Sequence, residues 1–346
     1  MEKSRAIALG IGLALALGVV GCGGDDDEGA APTTTAAAAS DVKVGLVTDI
    51  NQLNDRGFNA LAFKGMQRAE RELGVRGRVL ESRSAADYVP NLTALARQGY
   101  DLVVAVGYVQ GSAVATVSKR FAQTKFAIID VDQATLEGKP DNVVGLIFKE
   151  QEVGYLAGFL AALTAKREPG RDVVSSVGGV KEPPVDRFIA GYQAGAKEAL
   201  PAVKLLNGYS QDWDDQAKCK EKAFNQIAEG SRVVFQVAGG CGLGALDAAG
   251  ERDVWGIGVD ADQSFAGPQV LTSAIKRVDQ AVLRTIRSVV DGRWRGGRNL
   301  VFGLKEDGVG LAKLSPDVPR ADSNTVERVR RQIVDGAIGG IPTTVE

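Results

Sequence analysis

An α/β chain of two similar lobes, each built around a parallel sheet, is what this sequence predicts, and three observations carry the prediction. Its 346 residues, 45% hydrophobic and 24% charged, suffice for two domains of ordinary size with a sizeable core. From Asp41 onward, short runs rich in Val, Ile and Leu alternate with longer amphipathic stretches, the pattern of βαβ units around a buried parallel sheet. The third observation is an internal repeat. Asp101-Leu-Val-Val-Ala-Val-Gly107 resembles Arg232-Val-Val-Phe-Gln-Val-Ala-Gly239, each reading as a strand that enters a glycine-rich turn and a helix. Each is followed by a second strand ending in an aspartate, Phe126-Ala-Ile-Ile-Asp130 and Trp255-Gly-Ile-Gly-Val-Asp260. Asp101 to Asp130 is 29 positions and Arg232 to Asp260 is 28, so the two aspartates hold equivalent places. In open parallel sheets the carboxyl ends of the strands face the ligand crevice, which points Asp130 and Asp260 at a shared cleft from opposite lobes.

Taken in order, the chain begins with Lys3 and Arg5, an apolar run from Ala6 to Val20, then Gly21 and Cys22. Fifteen apolar residues are too few to span a bilayer but suit a secretory signal, residues 1–21. The ending Val19-Val20-Gly21-Cys22 resembles a bacterial lipobox, so Cys22 is expected to carry a lipid. Residues 22–40 continue in Gly, Asp, Ala, Thr and Pro without apolar period, the composition of a disordered tether with a reach of roughly 20–25 Å. Strands are then expected at residues 42–47, 78–81, 102–106, 126–129 and 143–147, and in the second half at 173–177, 203–207, 233–237 and 254–259. Phe58, Leu61, Ala62, Gly65 and Ala69 keep helical spacing up to a stop at Gly74, and further helices are expected over 185–200 and 215–229.

Composition also narrows the chemistry. The count of zero histidines removes Ser-His-Asp and Cys-His nucleophiles and His-ligated zinc, and neither a phosphate-binding GxxxxGK[ST] loop nor a GxSxG elbow occurs. The 41 basic and 43 acidic residues are spread without basic blocks, so nucleic acid is not an expected partner. No metal or cofactor is expected, and binding without catalysis is the leading class. With Cys22 lipidated outside the cytoplasm, Cys219 and Cys241 remain as an even pair that could form a disulfide or stay as two small apolar residues; their separation of 22 excludes a CxxC site. The run Gly239-Gly-Cys-Gly-Leu-Gly244 follows a strand but lacks GxGxxG spacing from its first glycine, which argues against a dinucleotide site.

Several segments, in order and spacing, resemble one family over nearly all of residues 42–340: Val44-Gly-Leu-Val-Thr-Asp49, Asn54-Asp-Arg-Gly-Phe-Asn59, Ala86-Asp-Tyr-Val-Pro-Asn91, Gly154-Tyr-Leu-Ala-Gly158, Gly191-Tyr-Gln-Ala-Gly195 and Thr272-Ser-Ala-Ile-Lys276. The family is the basic membrane protein lipoproteins typified by the bacterial purine nucleoside receptor, the substrate-binding components of ABC importers. The resemblance implies the type I periplasmic binding protein fold, two Rossmann-like lobes with parallel sheets joined by a three-strand hinge. An N-terminal lobe of 41–147 plus about 277–314 and a C-terminal lobe of 148–276 plus about 315–346 follow. It also implies a receptor, anchored by lipid on the extracytoplasmic face of a bacterial membrane, that passes a purine nucleoside to an ABC permease; a monomer is expected, though the sequence leaves the oligomeric state open.

Carried across by motif, Phe58 and Phe188 are the rings that sandwich the base, Asn59 and Asp130 address the base edge, and Asp260 and Lys276 hold the ribose. Asp49 is either a cleft residue or part of a turn, and Trp213 either a cleft aromatic or a lobe-surface anchor. Bland readings stand beside these: Phe58 and Phe188 as core residues, Asn59 as a helix cap, the two aspartates as loop caps, Lys276 as a surface ion pair. The sequence departs from the family at Gly57, usually a small hydroxyl residue, and at Cys241, usually threonine. The alternatives in function are a binding protein for another small polar ligand such as a sugar, or a sensor that binds a similar ligand and signals to a membrane partner.

Overall fold

The computed structural model describes residues 40–345 apart from 51–52 and 168–171. The expected signal, Cys22 and all but the last residue of the tether lie outside the described residues.

Two six-stranded sheets repeat one topology. The first takes β1 (Lys43–Val47), β2 (Arg76–Leu80), β3 (Leu102–Ala105), β4 (Lys125–Ile129), β5 (Val143–Phe148) and β11 (Arg298–Phe302), all parallel, in the order β11-β5-β4-β3-β1-β2. The second takes β6 (Val173–Gly178), β7 (Lys204–Tyr209), β8 (Val233–Val237), β9 (Trp255–Asp260), β10 (Val270–Lys276) and β12 (Val309–Leu311) in the order β12-β10-β9-β8-β6-β7, with only β12 antiparallel. The strands are rich in Val, Ile and Leu because helices cover both faces of each sheet. The sequence repeat is thus a topological one: β4 and β9 occupy the same place, so Asp130 and Asp260 leave their sheets at equivalent points.

All nine expected strands form, each within two residues of its expected ends. β10, β11 and β12 were not expected, and they carry the connection between lobes. The chain crosses from the first sheet to the second after β5, returns after β10, and crosses again between β11 and β12. Because β12 bonds to β10, residues 309–311 belong with the second sheet, although the expected division put them in the N-terminal lobe. At the crossings Lys149 N–H donates to Phe302 O at 3.0 Å, Arg277 N–H donates to Gly308 O at 2.8 Å, and Phe148 stacks on Phe302 with centroids 5.1 Å apart.

Helix α1 (Phe58–Leu73) ends on Gly74, whose φ of 66° is left-handed, as its sequence predicts, and α2 (Tyr88–Arg97) and α3 (Gly111–Arg120) follow it in the first lobe. The second lobe is organised by the crossing of α4 (Glu150–Ala165) and α5 (Pro183–Ala199), where Gly154, Gly158, Gly191 and Gly195 face each other's helix. A Cβ on Gly158 would lie 1.8 Å from Tyr192 O, and one on Gly195 2.0 Å from Tyr155 O, so only glycine permits this approach. Cys219 in α6 (Gln216–Ala228) is disulfide-bonded to Cys241, which precedes α7 (Gly242–Glu251), with Cα atoms 5.6 Å apart.

Candidate functional site

One cleft, of about 610 Å³ counting its open mouth, lies between the carboxyl ends of the two sheets. All eight residues singled out from the sequence line it: Asp49, Phe58, Asn59, Asp130, Phe188, Trp213, Asp260 and Lys276. Tyr108, Glu182, Gly107, Gly239, Pro184 with Val185, and the strand-end valines Val237 and Val259 complete the wall.

Local sequence explains how the first lobe presents its side. Asp55 caps α1, its carboxylate accepting the N–H of Gly57 (2.9 Å), Asn59 (2.7 Å) and Ala60 (3.1 Å), which sets Phe58 at the first position of the helix, half-buried and on the cleft. Asn59 is buried, and its side-chain oxygen accepts the N–H of Asp49 at 3.0 Å, tying the loop after β1 to the helix. Asp49 in turn accepts from Tyr88 Oη at 2.5 Å and from Ile50 N at 2.7 Å. Burial pushes its carboxyl above the usual range in spite of those donors. Gly107 lets this happen: at φ 115° its Cβ position would lie close against Asp49 Oδ2. Asp49 and Asn59 therefore carry structural bonds as well as facing the cleft.

Asp130 and Asp260 both have left-handed backbone, φ 71° and 64°, which is uncommon for residues other than glycine and is maintained in both lobes at the same topological point. Their surroundings differ. Asp130 is gripped by Lys276, whose ammonium is 2.7 Å from each carboxylate oxygen and 2.8 Å from Glu150 Oε1. Arg187 Nε reaches the other oxygen of Glu150 at 2.6 Å, closing a buried chain of alternating charge. Burial pushes Asp130 up, to about 6, although Lys276 opposes it; burial also raises Glu150, but Lys276 and Arg187 outweigh it and leave that carboxyl lowered.

Lys276 is only 2% exposed, so the surface ion-pair reading fails. Its charge also lies 5.0 Å from the ring centres of Phe58 and Phe148 and 6.0 Å from that of Phe188. Three carboxylate oxygens at hydrogen-bonding distance leave this ammonium holding Asp130 and Glu150, where the sequence reading had it donating to a sugar. Phe188 is almost fully buried, edge-on to Phe235 at 6.2 Å, yet presents atoms to the cleft.

Asp260 is 8% exposed, and no donor among the described residues hydrogen-bonds its carboxylate. Burial pushes it up to about 7, Lys276 lowering it and the charges of Asp55, Asp130 and Glu150 raising it further. A Cβ on Gly57 would sit 3.6 Å from Asp260 Oδ2, so the absence of a side chain there keeps this face open. Trp213 belongs to the cleft: its ring lies over Gly179, and its carbonyl accepts Cys241 N–H at 2.7 Å.

Glu182, Tyr108, Glu150 and Arg187 were not singled out from the sequence. Glu150 carried a signal, an acidic residue two positions after a strand that ends at a crossing and at the start of the next helix, and Glu182 precedes the Pro-Pro start of α5. Across the mouth Arg56 lies over the Phe265 ring at 5.2 Å, a contact between the lobes.

The family model described as ABC transporter substrate-binding protein, PnrA-like, matches residues 42–340. A Listeria monocytogenes protein called CD4+ T-cell-stimulating antigen is 36% identical, covering 97% of this chain and 98% of its own. The Lactococcus lactis ABC transporter nucleoside-binding protein BmpA is 32% identical over 86% of this chain and 89% of its own. Among solved structures, an ABC transporter solute-binding protein from Aeropyrum pernix superposes with a TM-score of 0.79 at 29% identity, covering 87% of this chain and 94% of that one. Fold and sequence agree that the chain belongs to the Bmp family of PnrA-like substrate-binding proteins of ABC transporters.

Proposed function

We propose that this protein is a lipid-anchored extracytoplasmic receptor that closes two lobes on a purine nucleoside and delivers it to an ABC permease, making and breaking no bond. The observation that carries the reading is Asp260, a carboxylate 8% exposed, facing the cleft without a donor among the described residues. A buried carboxylate in that state is costly unless something donates to it, and two vicinal sugar hydroxyls do so well. The rings of Phe58 and Phe188 on opposite lobes suit a flat base, worth on the order of 1–3 kcal/mol per stacked base. The Lactococcus relative named as nucleoside-binding supports the same ligand class.

The moving bodies in this reading are the two sheets with their helices, hinged at the three crossings after β5, β10 and β11. Ligand contacts from both lobes favour the closed form, so a permease can read occupancy from lobe geometry. Cys22 supplies the anchor, in keeping with relatives named as lipoproteins, and the receptor works as a monomer. Asp260→Ala should weaken nucleoside binding by about 30- to 4,600-fold, the equivalent of about 2–5 kcal/mol for a truncated buried charged contact. Unchanged affinity in calorimetry would remove Asp260 from the site.

A further inference from the structure

Among the described residues Glu182 is a cleft-lining carboxylate with no hydrogen-bond donor. It is the N-cap residue of α5, yet its side chain makes no capping bond, and it lines the cleft instead. The cations beside it in sequence are occupied: Lys181 pairs with Asp186 at 2.6 Å and Arg187 with Glu150 at 2.6 Å. The groups facing it from the first lobe, Asp49, Tyr88 and Asp130, add negative charge or already have partners. Asp49 has Tyr88 and Ile50, and Asp130 has Lys276 on both oxygens. Burial and the charges of Asp49 and Asp130 push Glu182 up to about 7.

Glu182 and Asp49 therefore face one cleft from opposite lobes as two carboxylates, and among the described residues neither has a cation partner. Closing the lobes on this pair costs free energy unless a donor enters the gap. Asp260, which has no donor among the described residues either, makes the same demand. Four carboxylates, Asp49, Asp130, Glu182 and Asp260, line the cleft against the single ammonium of Lys276, which disfavours any anionic ligand.

We infer that Glu182 is a specificity-determining residue: it accepts a hydrogen bond from an amino or ring N–H group on the base, selecting donor-bearing nucleosides over isosteres that lack that donor and over phosphorylated forms. The inference rests on the nucleoside reading above. A site built to pair with a ligand donor rejects the analogue without it, because the acceptor is then left buried and unpaired.

The test is calorimetric titration of the whole chain in detergent with adenosine, purine riboside, which lacks the amino group, and adenosine 5′-monophosphate, for the wild type, Glu182→Gln and Glu182→Ala. The wild type should favour adenosine over purine riboside by about 10-fold or more, and Glu182→Ala should bring the two within about 3-fold while still binding both. The wild-type preference should also shrink at pH 5.5 relative to pH 8, as Glu182 takes up a proton, with no such change in Glu182→Ala. Taking the ratio of two ligands that share a ribose cancels the titration of Asp260. Glu182→Gln keeps an acceptor but not the charge, so it should retain part of the preference and bind the monophosphate better than the wild type does. Wild-type binding with a preference unaltered by Glu182→Ala would overturn this inference alone. Silence of the wild type toward every nucleoside would overturn the nucleoside reading, and this inference with it.

Discussion

Replacing Lys276 by methionine isolates the charge at the centre of the cleft, since methionine keeps much of the apolar stem and loses only the ammonium. In the wild type that ammonium lies 2.7 Å from both oxygens of Asp130 and 2.8 Å from Glu150. Glu150 keeps Arg187 after the change, but Asp130, buried at the end of β4, loses its hydrogen-bonded cation and keeps only the more distant charge of Arg187. Removing one partner of a buried pair typically costs about 3–5 kcal/mol, because the other charge stays uncompensated. The folding equilibrium would shift by a factor of about 160 to 4,600. The loss should depend on pH in a fixed direction. Without Lys276 the Asp130 carboxyl rises further, the native state holds a proton that the unfolded chain releases, and stability is lost as pH rises through the new value. Urea unfolding of residues 40–346 should therefore show a larger deficit at pH 8 than at pH 5. Adding Asp130→Asn, which removes the orphaned charge, should restore part of the lost stability. A deficit under about 1 kcal/mol, one independent of pH, or a double variant no better than Lys276→Met would refute the assignment of Lys276 as the counter-ion that makes this buried cluster tolerable.

Two further outcomes follow from the geometry. Gly158→Ala should destabilise the second lobe by several kcal/mol, more than the ordinary cost of overpacking, because its Cβ would sit 1.8 Å from Tyr192 O on a rigid helix; chemical denaturation reads the loss, and a change within about 0.5 kcal/mol would contradict the close approach. Asp260 is raised to about 7, so without ligand its protonated form contributes stability that is present at acid pH and lost as pH rises through about 7. A ligand donating to its carboxylate favours the ionised form, so affinity should climb with pH to about 7 and level off, with a proton released at pH 6 but not at pH 8. Lys276, Asp55, Asp130 and Glu150 face this carboxylate, and Asp260→Asn should abolish its share of the release in buffers of differing ionisation enthalpy.

How much was legible beforehand depended on whether a residue's role was written in a period or in a partner. The alternation of β-branched runs and amphipathic stretches marked nine strands, because a buried parallel strand is apolar on both faces. β10 escaped because Thr272, Ser273 and Lys276 break its apolar run, and β12 because three residues carry no period. Asp130 and Asp260 were legible through the repeat, which encodes topology. Their different environments were not: the repeat makes them equal, whereas Lys276 reaches only Asp130 with hydrogen bonds. Arg187 and Glu150 escaped for the same reason, since a buried ion pair between residues 37 apart leaves no local pattern. Glu182 looked like a helix-start residue, and only its missing cap bond and its neighbours give it a second meaning. For Phe58, periodicity favoured a core residue and resemblance favoured a ring platform; its half-buried position at the mouth of α1 accommodates the second.

The most direct measurement is calorimetric titration of residues 40–346, refolded to strip carried-over ligand, with adenosine, guanosine, inosine, uridine and ribose. A purine nucleoside receptor should bind one purine nucleoside per chain saturably, with uridine and ribose much weaker and binding lost in Phe58→Ala. Folded protein that ignores every purine nucleoside, or that binds ribose as well as adenosine, would contradict it.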